Sequence, residues 1–245
     1  MVEPLFRKNF SVAPAIGESV LLDGDEGKHA TSVRRMRVGE IIQFSNGQGL
    51  RVRAEISSAG PKSLTATVVD LESEARPSLE ITLVQALAKG DRDELAIQAA
   101  TEMGAMGIIP WQADRSISRW DETKAQKGQA RWQAICDEAA KQSLRVWHPS
   151  VTTAVSSQSL VEAFAGFDRV LVLDPTADIG IASASGVTGR VALIVGPEGG
   201  IDESELAAFE SAGATRVRLG ESILRTSTAG VVAIAALQFA TGSFD

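Results

Sequence analysis

Two stretches near the C-terminal end of this 245-residue chain concentrate residue types that could do chemistry. The first is Gly196-Pro197-Glu198-Gly199-Gly200, directly after the apolar run Val191–Val195. The second runs from Gly220 through Glu221, Ser222, Ile223, Leu224, Arg225, Thr226, Ser227 and Thr228 to Ala229 and Gly230, after the short run Thr215–Leu219. Glycines let a ligand approach the backbone without a Cβ in the way, and Pro197 stiffens its turn. Ile223 and Leu224 form an apolar pair that an ordinary surface loop avoids. Beside backbone donors, such a pair suits a flat, uncharged ring such as adenine. Arg225 offers a preorganised donor for developing negative charge. Glu198 offers a carboxylate that either accepts a proton or bonds its own turn. Thr226 to Thr228 also read as simple helix N-capping. Two strand ends with such loops point to a pocket at the carboxyl edge of a sheet, where open α/β sheets bind ligands.

Other chemistries lack their signatures. The sequence contains no G-x-G-x-x-G and no G-x-x-x-x-G-K-[ST], so neither a Rossmann dinucleotide site nor a P-loop has support. It has no G-x-S-x-G elbow. The two histidines, His29 and His148, are too few for a histidine-rich metal cluster, and the one cysteine, Cys136, excludes an internal disulfide and a cysteine-rich zinc site. Cys136 lies in a helical pattern and reads as inert packing; His148 reads as a loop histidine. No metal is expected.

The elements that must position the two loops follow an alternating pattern of strand and helix from Leu79 onward, the signature of a parallel sheet. Strands are expected at Ile81–Leu87, Gly107–Pro110 (ended by Pro110), Arg169–Leu173, Val191–Val195 and Thr215–Leu219. Helices are expected at Asp91–Met103 (closed by Gly104), Glu122–Ser143 (weakened at Gly128), Ser159–Ala165 and Val231–Leu237. A further helix has Asp202 as N-cap, Glu205 at capping-box distance and Gly213 as its stop. Residues 1–72 differ. Short β-type runs at Ser19–Leu22, Glu40–Phe44, Leu50–Ile56 and Ser63–Val69, with turn signals between them, predict a small β-barrel. It carries one helix over Glu26–Met36. Residues 73–78 read as a linker around Pro77.

The length is comfortable for two domains with real cores. No run of 18 or more apolar residues predicts a membrane span, and the N-terminus lacks a signal-peptide stretch, so a cytoplasmic protein is expected. The net charge of −7 argues on its face against nucleic acid. It is unevenly placed. Residues 1–72 hold nine basic and nine acidic residues, whereas the remainder holds fifteen against twenty-two. The N-terminal part is therefore the less hostile half for RNA, with Arg34, Arg35 and Arg37, supported by Arg51 and Arg53, as candidate phosphate contacts. A solvated basic face is the plain alternative.

Taken together, Ile194–Ile201 and Leu219–Ala229 closely resemble the SPOUT methyltransferases with a C-terminal trefoil knot. Within them the chain resembles the RsmE-type family, which methylates N3 of a uridine in small-subunit ribosomal RNA. Lys89-Gly90 with Gln98–Gly104 and Ile108–Pro110, Arg131-Trp132 with Glu138–Ser143, and His29 with Val33–Gly39 carry the resemblance over nearly the whole chain. It implies a PUA-like RNA-binding β-barrel at residues 1–72 and a knotted α/β methyltransferase domain at 73–245, forming a homodimer. It implies S-adenosyl-L-methionine held in a bent form by Leu173, by Gly196, Pro197, Glu198, Gly199 and Gly200, and by Leu219, Gly220, Ile223, Leu224 and Thr226. Arg225 and Glu198 are the candidate catalytic residues. The chain departs from the family at Ser227, where a glutamate is usual. A knotted enzyme acting on another RNA atom, such as a ribose 2′-OH, and a non-catalytic cofactor-binding assembly factor are the competing readings.

Overall fold

The computed structural model describes residues 2–242 and divides into two compact units. The first comprises the residues through Arg76 together with Ala140–His148; the second comprises Pro77–Ala139 and the residues from Pro149 onward.

In the first unit, β1 (Leu5–Arg7), β2 (Ser19–Leu22), β3 (Ile41–Ser45), β4 (Leu50–Ala59) and β5 (Leu64–Ser73) form one sheet in the order β1-β3-β4-β5-β2. β1 and β3 are parallel; the other pairs are antiparallel. Alternating burial along β4 gives one wet and one dry face, as its alternating sequence requires. Phe6 of one edge strand and Leu22 of the other belong to a single buried cluster, so the sheet curls around its core. The predicted helix over Glu26–Met36 is found at Gly24–Val33, α-helical over Gly24–Lys28 (α1) and π-helical over His29–Val33. Arg35 then takes a left-handed φ of 54°, which turns the chain out of the helix before Met36.

The second unit is built on a wholly parallel sheet. Its strands are β6 (Leu79–Ala86), β7 (Gly107–Gln112), β8 (Ser150–Val151), β9 (Val155–Ser156), β10 (Arg169–Leu173), β11 (Gly189–Val195) and β12 (Thr215–Val217). Their order is β12-β10-β11-β6-β7-β8, with β9 also on β7. The helices are α2 (Arg92–Glu102), α3 (Glu122–Gln142), α4 (Ser157–Ala163), α5 (Glu203–Ser211) and α6 (Thr226–Ala240). β6 is buried on both sides. Leu79, Ile81 and Leu83 join one core cluster with residues of α2, α3 and α6, while Val84 and Ala86 join the other with residues of α4 and α5. Burial is continuous from Leu83 to Ala86, whereas Glu80 and Thr82 in the first half of the strand are half-buried and alternate with the core residues.

Three expectations meet a correction. Pro110 does not end its strand, which continues to Gln112. On that flank β7 pairs with β8 at Gly107 and Ile108 and with β9 at Trp111 and Gln112, so Pro110 falls in the gap between two partners. No ladder bond is lost to its missing N–H. Gly128 is not a weak point of α3: a Cβ there would lie 2.5 Å from the Trp120 ring, so its bareness seats the indole on the helix. The last helix begins at Thr226, not Val231, and absorbs half of the second loop. Gly230 lies within that extended helix, where a Cβ would stand 2.9 Å from Leu83 Cδ1, so α6 can press close onto the sheet. The capping box of Asp202 and Glu205 forms as read, with Gly213 at a φ of 95° beyond the helix end. Among the described residues no helix is long and apolar enough to cross a membrane.

Candidate active site

Three loops leave the carboxyl ends of β10, β11 and β12, and a cavity of about 550 Å³ opens among them. Its size is that of a small-ligand site. Leu173, Gly196, Pro197, Glu198, Gly200, Leu219, Gly220, Ile223, Leu224, Arg225 and Thr226 all line it. Gly199 does not; it turns toward Arg115, where a Cβ would sit 3.3 Å from Arg115 Cβ. Gly220 holds a φ of 123°, which a side chain would resist, and this launches the second loop away from β12. Ile223 is 80% exposed and Leu224 36%, an apolar pair held open on the cavity rim.

The loops are fastened by groups that the sequence did not single out. Gln85 is the next residue inward on the β6 face that carries Ile81 and Leu83, and it is fully buried. Its Nε2 donates to Thr226 Oγ1 at 2.8 Å, and the Thr226 hydroxyl donates to the Gly196 carbonyl at 2.9 Å. Thr226 is therefore not a cap: α6 has no side-chain N-cap bond, and its first residue ties β6, the β11 loop and the helix together. The one available signal was a glutamine at 85, on the strand face that otherwise carries Leu79, Ile81, Leu83 and Leu87. After β10, Arg216 Nε donates to Asp174 Oδ2 at 2.6 Å, and Asp174 Oδ1 accepts the Thr176 N–H at 2.9 Å. Burial pushes the Asp174 carboxyl up, but the Thr176 N–H and hydroxyl, with Arg216, outweigh it and hold it below its ordinary range.

Glu198 is likewise engaged. Its Oε1 accepts from the Lys89 N–H at 3.1 Å and from Arg92 Nη1 at 2.8 Å. Desolvation pulls its pKa upward, yet its own backbone N–H, that of Lys89 and the Arg92 guanidinium together bring it below the usual carboxylate value. A carboxylate so held is a weak base at neutral pH, and its visible task is to anchor the 196–200 turn. Arg115, on the cavity wall, donates to Asp202 at 2.9 Å and clamps the end of the same turn. Arg225 keeps an extended backbone just before α6 and projects an exposed side chain at the cavity. Ser227 is the second residue of α6 and half-buried. Among the described residues no group of three or more His, Cys, Asp and Glu side chains could hold a metal ion.

The candidate RNA contacts of the first unit separate into two kinds. Arg34, Arg35 and Arg37 are exposed and have no carboxylate partner among the described residues. Arg51 instead donates to Glu74 at 2.6 Å, to Gln43 at 2.6 Å and to the Leu144 carbonyl at 3.1 Å. Arg53 grips Glu3 through two nitrogens, and its hydrogen bond above all lowers the Glu3 pKa from 4.5 to about 2. Both arginines are committed to carboxylates of their own unit.

The Thr226 bridge makes a direct prediction. Thr226→Val keeps the shape but strips the hydroxyl from a buried pair, leaving the Gly196 carbonyl without its donor. It is expected to cost about 1 to 3 kcal/mol of stability by urea denaturation, with Thr226→Ser close to the parent. A valine variant as stable as the parent would show that the bridge does not hold the loops.

Comparison with known proteins agrees with this geometry. Residues 75–238 match the family model of an RNA methyltransferase domain, and residues 22–69 match that of an RNA methyltransferase PUA domain. The chain is 43% identical over 237 residues to ribosomal RNA small subunit methyltransferase E of Mycobacterium bovis, covering 95% of this chain and 90% of that protein. It is 32% identical over 229 residues to the protein of the same name from Bacillus subtilis, covering 90% of each. The crystal structure of a ribosomal RNA small subunit methyltransferase E from Neisseria gonorrhoeae bound to S-adenosyl methionine superposes with a TM-score of 0.89. The identity is 29%, over the full length of both chains. With both domains matched and a relative this similar over nearly its whole length, the chain belongs to the RNA methyltransferase family typified by ribosomal RNA small subunit methyltransferase E.

Proposed function

We propose that this chain transfers the methyl group of S-adenosyl-L-methionine to N3 of a uridine in small-subunit ribosomal RNA. The observation that carries the reading is the cavity among the three loops after β10, β11 and β12 at the carboxyl edge of the parallel sheet, with an apolar rim and Arg225 in its lining. Its volume and lining fit the cofactor: Ile223, Leu224 and Leu219 offer apolar surface for an adenine ring, and the turns at Gly196 and Gly220 bring bare backbone to its edge. The bound cofactor supplies a methyl group on a positively charged sulfur. The trefoil knot of the C-terminal domain belongs to the same reading.

The protein's own task is to make uridine N3 a nucleophile. The neutral imide is poor, so its proton must leave before or during transfer. Arg225 stands where a guanidinium can bond a uracil carbonyl and stabilise the developing imide anion. Glu198 is too firmly ion-paired to be the natural acceptor, so proton loss to solvent through Arg225-assisted acidification is the simpler route. Holding methyl and base in line supplies the remainder of the acceleration. RNA docking falls to Arg34, Arg35 and Arg37, with Arg51 and Arg53 serving the first unit's own structure. A second copy completes the assembly. Val232 and Phe239, seven residues apart on the outer face of α6, are 41% and 78% exposed, and Leu95 of the neighbouring α2 is 50% exposed. Such a stripe on packed helices suits a two-fold contact.

Three measurements test these assignments. Small-subunit RNA from cells lacking the protein, methylated in vitro and analysed by nucleoside mass spectrometry, is expected to gain 3-methyluridine; a 2′-O-methyl nucleoside, or none, would overturn the reaction assigned. In that assay Arg225→Ala is expected to lose about 100- to 1000-fold in kcat with S-adenosylhomocysteine affinity kept. For RNA binding, Arg34→Gln should flatten the slope of log affinity against log salt by roughly 0.7 to 0.9. Arg53→Gln should leave it unchanged; the reverse order would reassign the phosphate contacts. Sedimentation of Phe239→Glu should show a monomer where the parent is a dimer; a parent that is itself monomeric removes the dimer from the reading.

A further inference from the structure

A second cavity, of about 280 Å³, lies in the same unit at the same carboxyl edge of the sheet, between the segments that follow β6 and β7. Arg92 faces the first cavity, while Lys89 and Asp93 of the same segment face the second. The Lys89 N–H and the Arg92 guanidinium both hold Glu198, so the two cavities share one wall. The lining is unusual for a surface dimple. Asp93 is only 5% exposed; its Oδ2 accepts the Ala88 N–H at 3.1 Å and its Oδ1 the Glu94 N–H at 2.9 Å, with its own backbone N–H as a third donor. A carboxylate offers about four lone-pair sites, so acceptor capacity remains. Trp120 forms the aromatic part of the wall and cannot swing away. Its ring is seated on α3 at Gly128 and meets Trp132 edge-on at 5.3 Å, and its backbone N–H donates to Gln112 at 2.8 Å. Lys89 and Ile117 are exposed at the mouth.

We infer that this cavity is a subsite for the base of a nucleotide flanking the methylated one, and that it selects a base edge presenting two adjacent N–H donors, as guanine does through N1 and N2. A fixed aromatic wall offers a surface on which any base can pack. The carboxylate decides which base stays. Guanine places two parallel donors against its two oxygens, in the charge-assisted, paired geometry that gives carboxylates their selectivity. Uracil presents a lone N3–H between two carbonyls, which the carboxylate repels, so the target uridine itself is turned away from this cavity toward the methyl-donor site. Lys89 at the mouth meets the phosphate. Burial pushes the Asp93 carboxyl above its ordinary range, a cost that bonding to a base edge offsets. The inference rests on the proposed RNA substrate but does not depend on which atom is methylated.

The test uses the full-length protein and two short RNAs, hexauridylate and the same hexamer with one uridine replaced by guanosine. The indole N–H resonance of Trp120, identified with Trp120→Phe, is followed by NMR. The guanosine-containing RNA is expected to shift that resonance at concentrations where hexauridylate does not. Asp93→Asn, which keeps an acceptor for the backbone, is expected to weaken that response roughly tenfold or more. Equal shifts by both RNAs, no shift by either, or an unchanged response in Asp93→Asn would each overturn the subsite. Binding of S-adenosylhomocysteine and methyl transfer are measured on the same samples. Transfer retained without guanosine selectivity counts against this cavity alone, whereas loss of transfer in the parent counts against the proposed reaction.

Discussion

The site depends on one buried chain of hydrogen bonds, from the Gln85 amide to the Thr226 hydroxyl to the Gly196 carbonyl. Gln85 sits where the apolar face of β6 would otherwise place another leucine. Its amide nitrogen is held by the Ala86 carbonyl and by the Thr226 hydroxyl. Its bond fixes the first residue of α6, and that residue's hydroxyl fixes the first residue of the β11 loop. Two loops distant in sequence thereby acquire one geometry. The tie acts together with the close approach of α6 to the sheet at Gly230 and with the Thr228 and Ala229 N–H bonds to the Arg225 carbonyl, which fix the backbone from which Arg225 enters the cavity.

Charge does the remaining fastening. Asp174 with Arg216, Glu198 with Arg92 and Asp202 with Arg115 each pin one end of a loop that lines the cavity. The Glu198–Arg92 and Asp202–Arg115 pairs are partly exposed and contribute little apiece to global stability, whereas Asp174 is buried beside Arg216. Their effect is local: they hold irregular backbone in one shape at the edge of a rigid sheet, which catalytic placement requires. The same commitment makes the carboxylates around the first cavity poor proton acceptors. Their pKa values are held down by the bonds that make them useful as anchors.

The arginines of the first unit show why residue type alone misleads. Arg51 and Arg53 alternate along β4 with buried residues, a spacing that places both on the polar face of one strand, ready for RNA. Folding brings Glu74 and Glu3 against them, one from the end of the sheet's last strand and one from the N-terminal segment. Arg34, Arg35 and Arg37 stay clear because the chain leaves its helix at the left-handed Arg35 and runs on the surface. Hydrophobic periodicity could not foresee that exit, since the basic run keeps the polarity of a helix face.

The sequence by itself determined the parallel-sheet architecture, the strand-to-loop breaks at Gly196 and Gly220, the Asp202–Glu205 capping box and the family. These are local matters of period, glycine and cap chemistry, or long motifs whose order survives in one dimension. Most of the residues lining the first cavity were legible for the same reason: they lie in the two loops themselves. Only the tertiary structure decided that Pro110 sits harmlessly inside a strand, that Gly128 seats an indole, and that α6 starts at Thr226. It alone decided that Gln85, Asp174, Arg92 and Arg216 hold the loops. Each of those outcomes is set by what stands opposite the residue in space, a partner that comes from elsewhere in the chain and leaves no mark on the neighbouring sequence.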